Sequence, residues 1–301
     1  MEFNYNLDHM QNYSSKLRLS SSSTNVLHNE LINEINKWQI SLMGIKSEDS
    51  KYLVEHTSMA FSESNEFEKL VTHIKFIIWF YLFDHFIDNN ITDNELWIKV
   101  LKEEQNISNT LEEKMFISFW TEMKKNLTED QRKRFIDSWI SFVESNSKEK
   151  ENKELFNNYS IPEYLNYREL NFNTESLIIG IQYVLGINIF DENNSQIKVL
   201  KQLFAEYMII SNDIYSFKRE YKDGNVVNII YNISRIYDIS YQKSSIIALQ
   251  LLSNTEDKLI ECFSEIAKQN MDSSNLFLIT IEKYLAMNLE FYKVANHYEN
   301  V

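Results

Sequence analysis

One cysteine, one proline and four glycines stand in 301 residues, and each scarcity excludes something. A lone thiol, Cys262, cannot build an intrachain disulfide framework and fits a reducing compartment. Gly and Pro ordinarily supply about 7% and 5% of a chain, so their shortage leaves little β-turn chemistry and predicts short loops between helices. No basic start followed by an apolar run opens the N-terminus, which therefore does not read as a secretory signal. The most apolar stretch, 76–87, is too short to cross a bilayer and ends in Asp88. Net positive charge is lacking too: a formal charge of −14 repels nucleic-acid phosphates and anionic lipid. Together these absences predict a cytoplasmic helical protein with no nucleic-acid partner and no membrane partner.

What the chain does hold is 44% hydrophobic and 14% aromatic residues, enough for a large core. Periodicity predicts an all-α bundle of about ten helices in a single domain over 25–301, behind a flexible N-terminal segment over 1–24. The helix ending at "FIIWFYLFDHFIDNN" is apolar nearly all round and must lie inside. Thr24 or Asn25, Asn109 or Thr110, and Thr128 are the expected caps of three others, and Pro162 after Ser160 fits a first turn. Within "IPEYLNYRELNFNTESLIIGIQYVLG", the polar run "NFNTES" between two apolar halves predicts a break. Around Cys262 an amphipathic helix with a buried thiol is expected.

Two polar stripes carry the chemistry. In "NDIYSFKRE", Asn212, Ser216 and Glu220 share one helix face over about 12 Å. An amide, a hydroxyl and one carboxylate are hard oxygen donors suited to Mg²⁺, and their combined charge of −1 leaves the ion attractive to a polyanion such as diphosphate. Lys218 and Arg219 could touch that phosphate directly. A solvated surface stripe is the alternative reading. The second stripe, Asp84 and Asp88, sits i, i+4 at the end of the apolar helix. Two carboxylates there repel each other unless a cation lies between them, or unless the helix end is exposed. Arg168, 44 residues before Asn212, could reach a diphosphate or form an ion pair with Glu169 or Glu175.

These features resemble the class I terpene synthases of microbial type, and the composition and variant motifs are most similar to those of social amoebae. The family's Asn-Asp-x-x-Ser-x-x-x-Glu motif is matched in full at 212–220, and its Asp-Asp-x-x-Asp motif is matched by "DHFID", with His85 in place of the second Asp. The resemblance implies three Mg²⁺ ions, for which Mn²⁺ can substitute, held by Asp84, Asp88, Asn212, Ser216 and Glu220. It makes Arg168 the diphosphate sensor, Asn171 and Phe172 its linker and effector, and Tyr298 a diphosphate contact, with His297 where the family has Arg. The implied fold is a bundle around a central cavity. There a prenyl diphosphate, farnesyl or else geranyl or geranylgeranyl, is ionised to a cyclic or acyclic terpene. Phe61, Phe80, Tyr81, Phe83 and Tyr215 are candidate lining residues, with core packing as the alternative for each. A homodimer stays open. Two rivals remain: a chain-elongating prenyl diphosphate synthase, which should carry two aspartate-rich motifs, and a catalytically silent prenyl-diphosphate-binding protein.

Overall fold

The computed structural model describes residues 12–17, 24–44, 48–88, 94–103, 110–151, 158–188, 194–222, 224, 227–268 and 272–294. Among these are twelve helices and no strand. They are α1 (His28–Met43), α2 (Glu48–Ala60), α3 (Phe67–Asp88), α4 (Asn94–Leu101), α5 (Leu111–Asn126) and α6 (Glu129–Glu151), then α7 (Ile161–Phe172), α8 (Thr174–Leu185), α9 (Ser195–Lys222), α10 (Ile229–Tyr237), α11 (Tyr241–Ala267) and α12 (Asp272–Val294).

Local chemistry explains most boundaries. Thr110 with Glu113, and Ser160 with Glu163, form capping boxes in which side chain and backbone N–H satisfy each other at both ends of the first turn. Thr128 and Gln131 exchange the same pair of bonds before α6. Pro162 falls in the first turn of α7, where no N–H is needed. Gly224, at φ +74°, follows the end of α9. Asn25 departs from expectation. Its side chain accepts from Leu27 N and donates to the carbonyls of Phe61 and Ser64, so it fastens the turn after α2 rather than capping α1, whose N-cap is Leu27.

The core has an aromatic half. Trp79 and Phe83 of α3 pack with Trp97 of α4, Phe116 and Phe119 of α5, and Trp139 of α6, with ring centroids as close as 4.6 Å. Truncating one such buried ring to Ala costs about 3–5 kcal/mol. The other half joins α9 to α11 and α12 through Phe204, Tyr207, Ile214, Leu252, Leu259, Leu285 and Leu289. Cys262 is buried on α11, and burial pushes its thiol up to about 11.

The helix break falls at Asn173, in the left-handed conformation (φ 51°, ψ 46°) between α7 and α8. Residues 12–17, expected within a flexible segment, are instead fastened to α11. The Tyr13 and Ser15 hydroxyls and the Lys16 N–H all donate to Glu256, a carboxylate with no solvent exposure. The rest of the 1–23 stretch lies outside the described residues.

Candidate active site

The elements that bear the expected motifs converge. α9 packs against α7, α8, α10, α11 and α12, and α8 bridges α3, α6 and α12. Asn212, Ser216 and Glu220 run along the C-terminal half of α9. The Tyr292 hydroxyl of α12 hydrogen-bonds with Asn212. The Ser216 hydroxyl is fully buried and has no hydrogen-bond partner. Glu220 is largely buried and accepts from Asn228 Nδ2 at 2.9 Å. Burial and then the nearby Asp213 raise its carboxyl above the ordinary range, while Arg168 works in the opposite direction.

This donor set fits a divalent cation. A buried polar atom without a partner is rare in native structures, and a second charge beside Glu220 would relieve the burial that disfavours its ionised form. Among the described residues no three His, Cys, Asp or Glu side chains gather into a metal-holding group. Asp84, His85 and Asp88 occupy the last turn of α3, but their side chains lie outside the described residues, as do His297 and Tyr298.

Asp213, beside Asn212 in sequence, organises what surrounds the stripe. It is completely buried. Its carboxylate accepts from Tyr164 Oη at 2.5 Å, Arg168 Nη2 at 2.8 Å and Ile229 N at 2.9 Å, and its carbonyl accepts from Asn228 Nδ2 at 2.7 Å. Asn228 thus joins Asp213, Glu220 and the first turn of α10, which it caps through Ile230 N. Arg168 also donates to Asn171 Oδ1 at 3.1 Å and lies 5.9 Å over the Phe172 ring. Neither expected ion-pair partner holds Arg168. Glu175 is engaged by Arg134 and Lys201, and Asp213 takes the guanidinium instead.

Lys218 is half-buried, and Arg219 Nη2 stands 3.6 Å from Glu220 Oε1. Of the candidate lining rings, Tyr215 stacks on Tyr292 and Tyr81 meets Phe291 edge-on, so both border the seam between α3, α9 and α12. Phe80 is half-buried and stacks on Phe76. Phe83 is enclosed by Trp79, Trp97 and Trp139, which is the core-packing alternative. Phe61 lies against His73. Asp213, Tyr164, Asn228 and Tyr292 were not singled out from sequence. Only the i, i+4, i+8 spacing of Tyr284, Asn288 and Tyr292 could have signalled one of them.

Comparison with known proteins shows the family and the fold. Residues 75–258 match the family described as "Terpene synthase family 2, C-terminal metal binding". A microbial terpene synthase-like protein of Selaginella moellendorffii is 20% identical over 70% of this chain, which spans 62% of that protein's length. A sesterterpene synthase of Neocamarosporium betae is 27% identical over 40% of the chain, which covers only 17% of that protein. Among solved structures, the linalool/nerolidol synthase of Streptomyces clavuligerus has a TM-score of 0.77 at 11% identity, covering 93% of this chain and all of that one. The germacradien-4-ol synthase of Streptomyces citricolor has a TM-score of 0.76 at 16% identity, covering 93% and 98%. The fold is theirs, the matched segment runs from inside α3 into α11, and the chain belongs to the class I terpene synthases, in the family defined by that C-terminal metal-binding region.

Proposed function

We propose that the chain is a Mg²⁺-dependent terpene synthase that ionises a prenyl diphosphate, with farnesyl diphosphate as its substrate, and releases a terpene and diphosphate. The observation that carries this reading is the α9 stripe with its partnerless, buried Ser216 hydroxyl, set beside an arginine held in place by Asp213. Asn212, Ser216 and Glu220 would hold Mg²⁺ from α9, and Asp84 and Asp88 from α3. The bound metal would supply positive charge to the departing diphosphate.

The residues do the rest. The C–O bond breaks heterolytically, its electron pair stays on the diphosphate oxygen, and Arg168, Lys218 and Arg219 offset the charge that gathers there. Tyr298 is a further diphosphate contact in this reading. Asp213 and Asn171 keep the Arg168 fork oriented and remove the freedom a lone side chain would have. Asn171 and Phe172, at the break before α8, connect Arg168 to the backbone at Asn173. The rings of Tyr81, Phe80 and Tyr215 exclude water and offer negative faces to an allylic cation.

Incubation with geranyl, farnesyl and geranylgeranyl diphosphate plus Mg²⁺, followed by gas chromatography and mass spectrometry with a diphosphate assay, tests this. A terpene from farnesyl diphosphate, matched by diphosphate release and abolished by chelation, is expected. Absence of release with all three substrates would mean a silent binder, and consumption that needs added isopentenyl diphosphate would mean chain elongation.

A further inference from the structure

Glu220 is the one carboxylate of the α9 stripe, and it stands in the last turn of a helix that ends at Lys222, whereas Asn212 and Ser216 lie in interior turns. A last turn lacks the carbonyl-to-amide bonds that brace the turns before it, so a carboxylate there has to be held from elsewhere. Asn228 supplies the hold. From eight residues further along the chain, its Nδ2 donates to Glu220 Oε2 at 2.9 Å and to the Asp213 carbonyl at 2.7 Å, while its Oδ1 accepts from Ile230 N at 2.9 Å.

The cap of α10 does not by itself explain an asparagine at 228. A cap needs one acceptor, which Ser, Thr or Asp would supply equally well. None of these carries two N–H donors beside the acceptor, as a primary amide does. Asn228 has no solvent exposure, and both amide hydrogens and the amide oxygen are spent on protein partners. Exchanging its oxygen and nitrogen would set an acceptor against the Glu220 carboxylate, so the network admits one orientation.

The residue is itself anchored where α9 is firm. Ile229 N donates to Asp213 Oδ2 at 2.9 Å, and Asn232 N donates to the Asn228 carbonyl at 3.0 Å. Both the carboxylate and the carbonyl of Asp213 are therefore tied to the start of α10. Asp213 lies seven residues before Glu220, inside the helix. Asn228 bridges the two, and so passes the fixed position of an interior residue to the carboxylate at the helix end.

Resting on the function proposed above, we propose that Asn228 is a positioning residue for the metal: by engaging Glu220 Oε2 it keeps the carboxylate in one orientation and leaves Oε1 to the cation. A ligand held in its binding orientation loses less freedom when the ion arrives. Loss of such an outer partner ordinarily weakens metal affinity about 10–100-fold. Asn228 touches neither substrate nor metal in this account and acts only through Glu220.

The test measures Mn²⁺ binding with inorganic diphosphate by the loss of the free-ion paramagnetic resonance signal, in the parent, Asn228→Ser and Asn228→Ala. Serine keeps the cap acceptor without the two donors, and alanine keeps neither. Asn228→Thr, which caps and fills more of the volume, stands in should Asn228→Ser fail to fold by circular dichroism. The Mn²⁺ dissociation constant should rise at least tenfold in the serine or threonine variant and by a similar factor in alanine. Affinity for diphosphate at saturating Mn²⁺ should change by less than about threefold, because the Asp213 carboxylate still holds Arg168. Turnover of the serine or threonine variant, low at limiting Mg²⁺, should recover when Mg²⁺ is raised in proportion. Parent-like Mn²⁺ affinity in a folded serine or threonine variant would reduce Asn228 to a helix cap. A loss of diphosphate affinity as large as the loss of metal affinity would place its action at Arg168 and overturn the assignment. A parent that binds no Mn²⁺ would instead sink the metal reading of the α9 stripe, and the role of Asn228 with it.

Discussion

Arg168 reaches Asp213 at 2.8 Å across 45 residues of sequence, and Asp213 has no exposure to solvent. The pair fixes the position of this arginine within the fold itself. Because Asp213 also holds Tyr164 and the start of α10, it is a fixed point for α7, α9 and α10 at once. Removing one member of a buried charged pair costs about 3–5 kcal/mol. Asp213→Ala should therefore lower stability by roughly that much in urea unfolding and remove turnover, while Arg168→Lys, which keeps charge but loses the fork, should keep most of the stability and lose most of the turnover. An Asp213→Ala variant that melts with the parent would remove the hub from the account.

Ser216→Ala offers a sharper separation of stability from binding. Deleting a buried hydroxyl that bonds to nothing should leave the ligand-free protein as stable as the parent or more so, by up to about 1 kcal/mol. The gain in melting temperature on adding Mg²⁺ with inorganic diphosphate should shrink in Ser216→Ala and vanish in Glu220→Gln. Equal gains in parent and both variants would show that the α9 stripe holds no metal.

The N-terminal contact makes another prediction. Deleting residues 1–17 strips Glu256 of the Tyr13, Ser15 and Lys16 donors and should destabilise the chain by about 3 kcal/mol. Adding Glu256→Gln to the truncated chain should recover part of that loss, since a neutral amide is cheaper to bury than a carboxylate. A truncated chain with the parent's melting point would mean the anchor contributes nothing.

His56 and His73 set a pH dependence. Burial lowers them from 6.5 to about 4 and about 3, so each favours folding above pH 6.5, and that stability is lost as pH falls towards the folded values. Each adds a slope of about 1.4 kcal/mol per pH unit over that window. Between pH 7 and 5 the parent should lose about 2 kcal/mol more than His73→Leu, measured by denaturant melts. Identical losses in the two proteins would contradict the buried neutral imidazole.

Sequence revealed what is local. The all-round apolar run of α3, the capping pairs at Thr110 and Ser160, and the polar "NFNTES" break resolved at Asn173 depend on residues within a few turns of one another. The Asn212–Ser216–Glu220 stripe was legible because helical spacing alone puts the three on one face. α2 was not foreseen, since it buries His56, Thr57 and Ser58 and so hides its apolar side. The Asp213 hub was equally hidden: its partners come from α7 and from the turn into α10, and no periodicity in α9 announces them. Phe83 and Tyr81 looked alike as aromatic residues of α3. Only packing separates a ring locked among tryptophans from one that meets α12.

Gly180 and His73 also constrain each other's history. With the imidazole where it is, any side chain at 180 would run into it, and a larger residue at 73 would press on the α8 backbone. Position 180, 107 residues further along the chain, can therefore gain a side chain only together with a change at position 73. A relative that gains alanine at the first should be found to carry something smaller than histidine at the second.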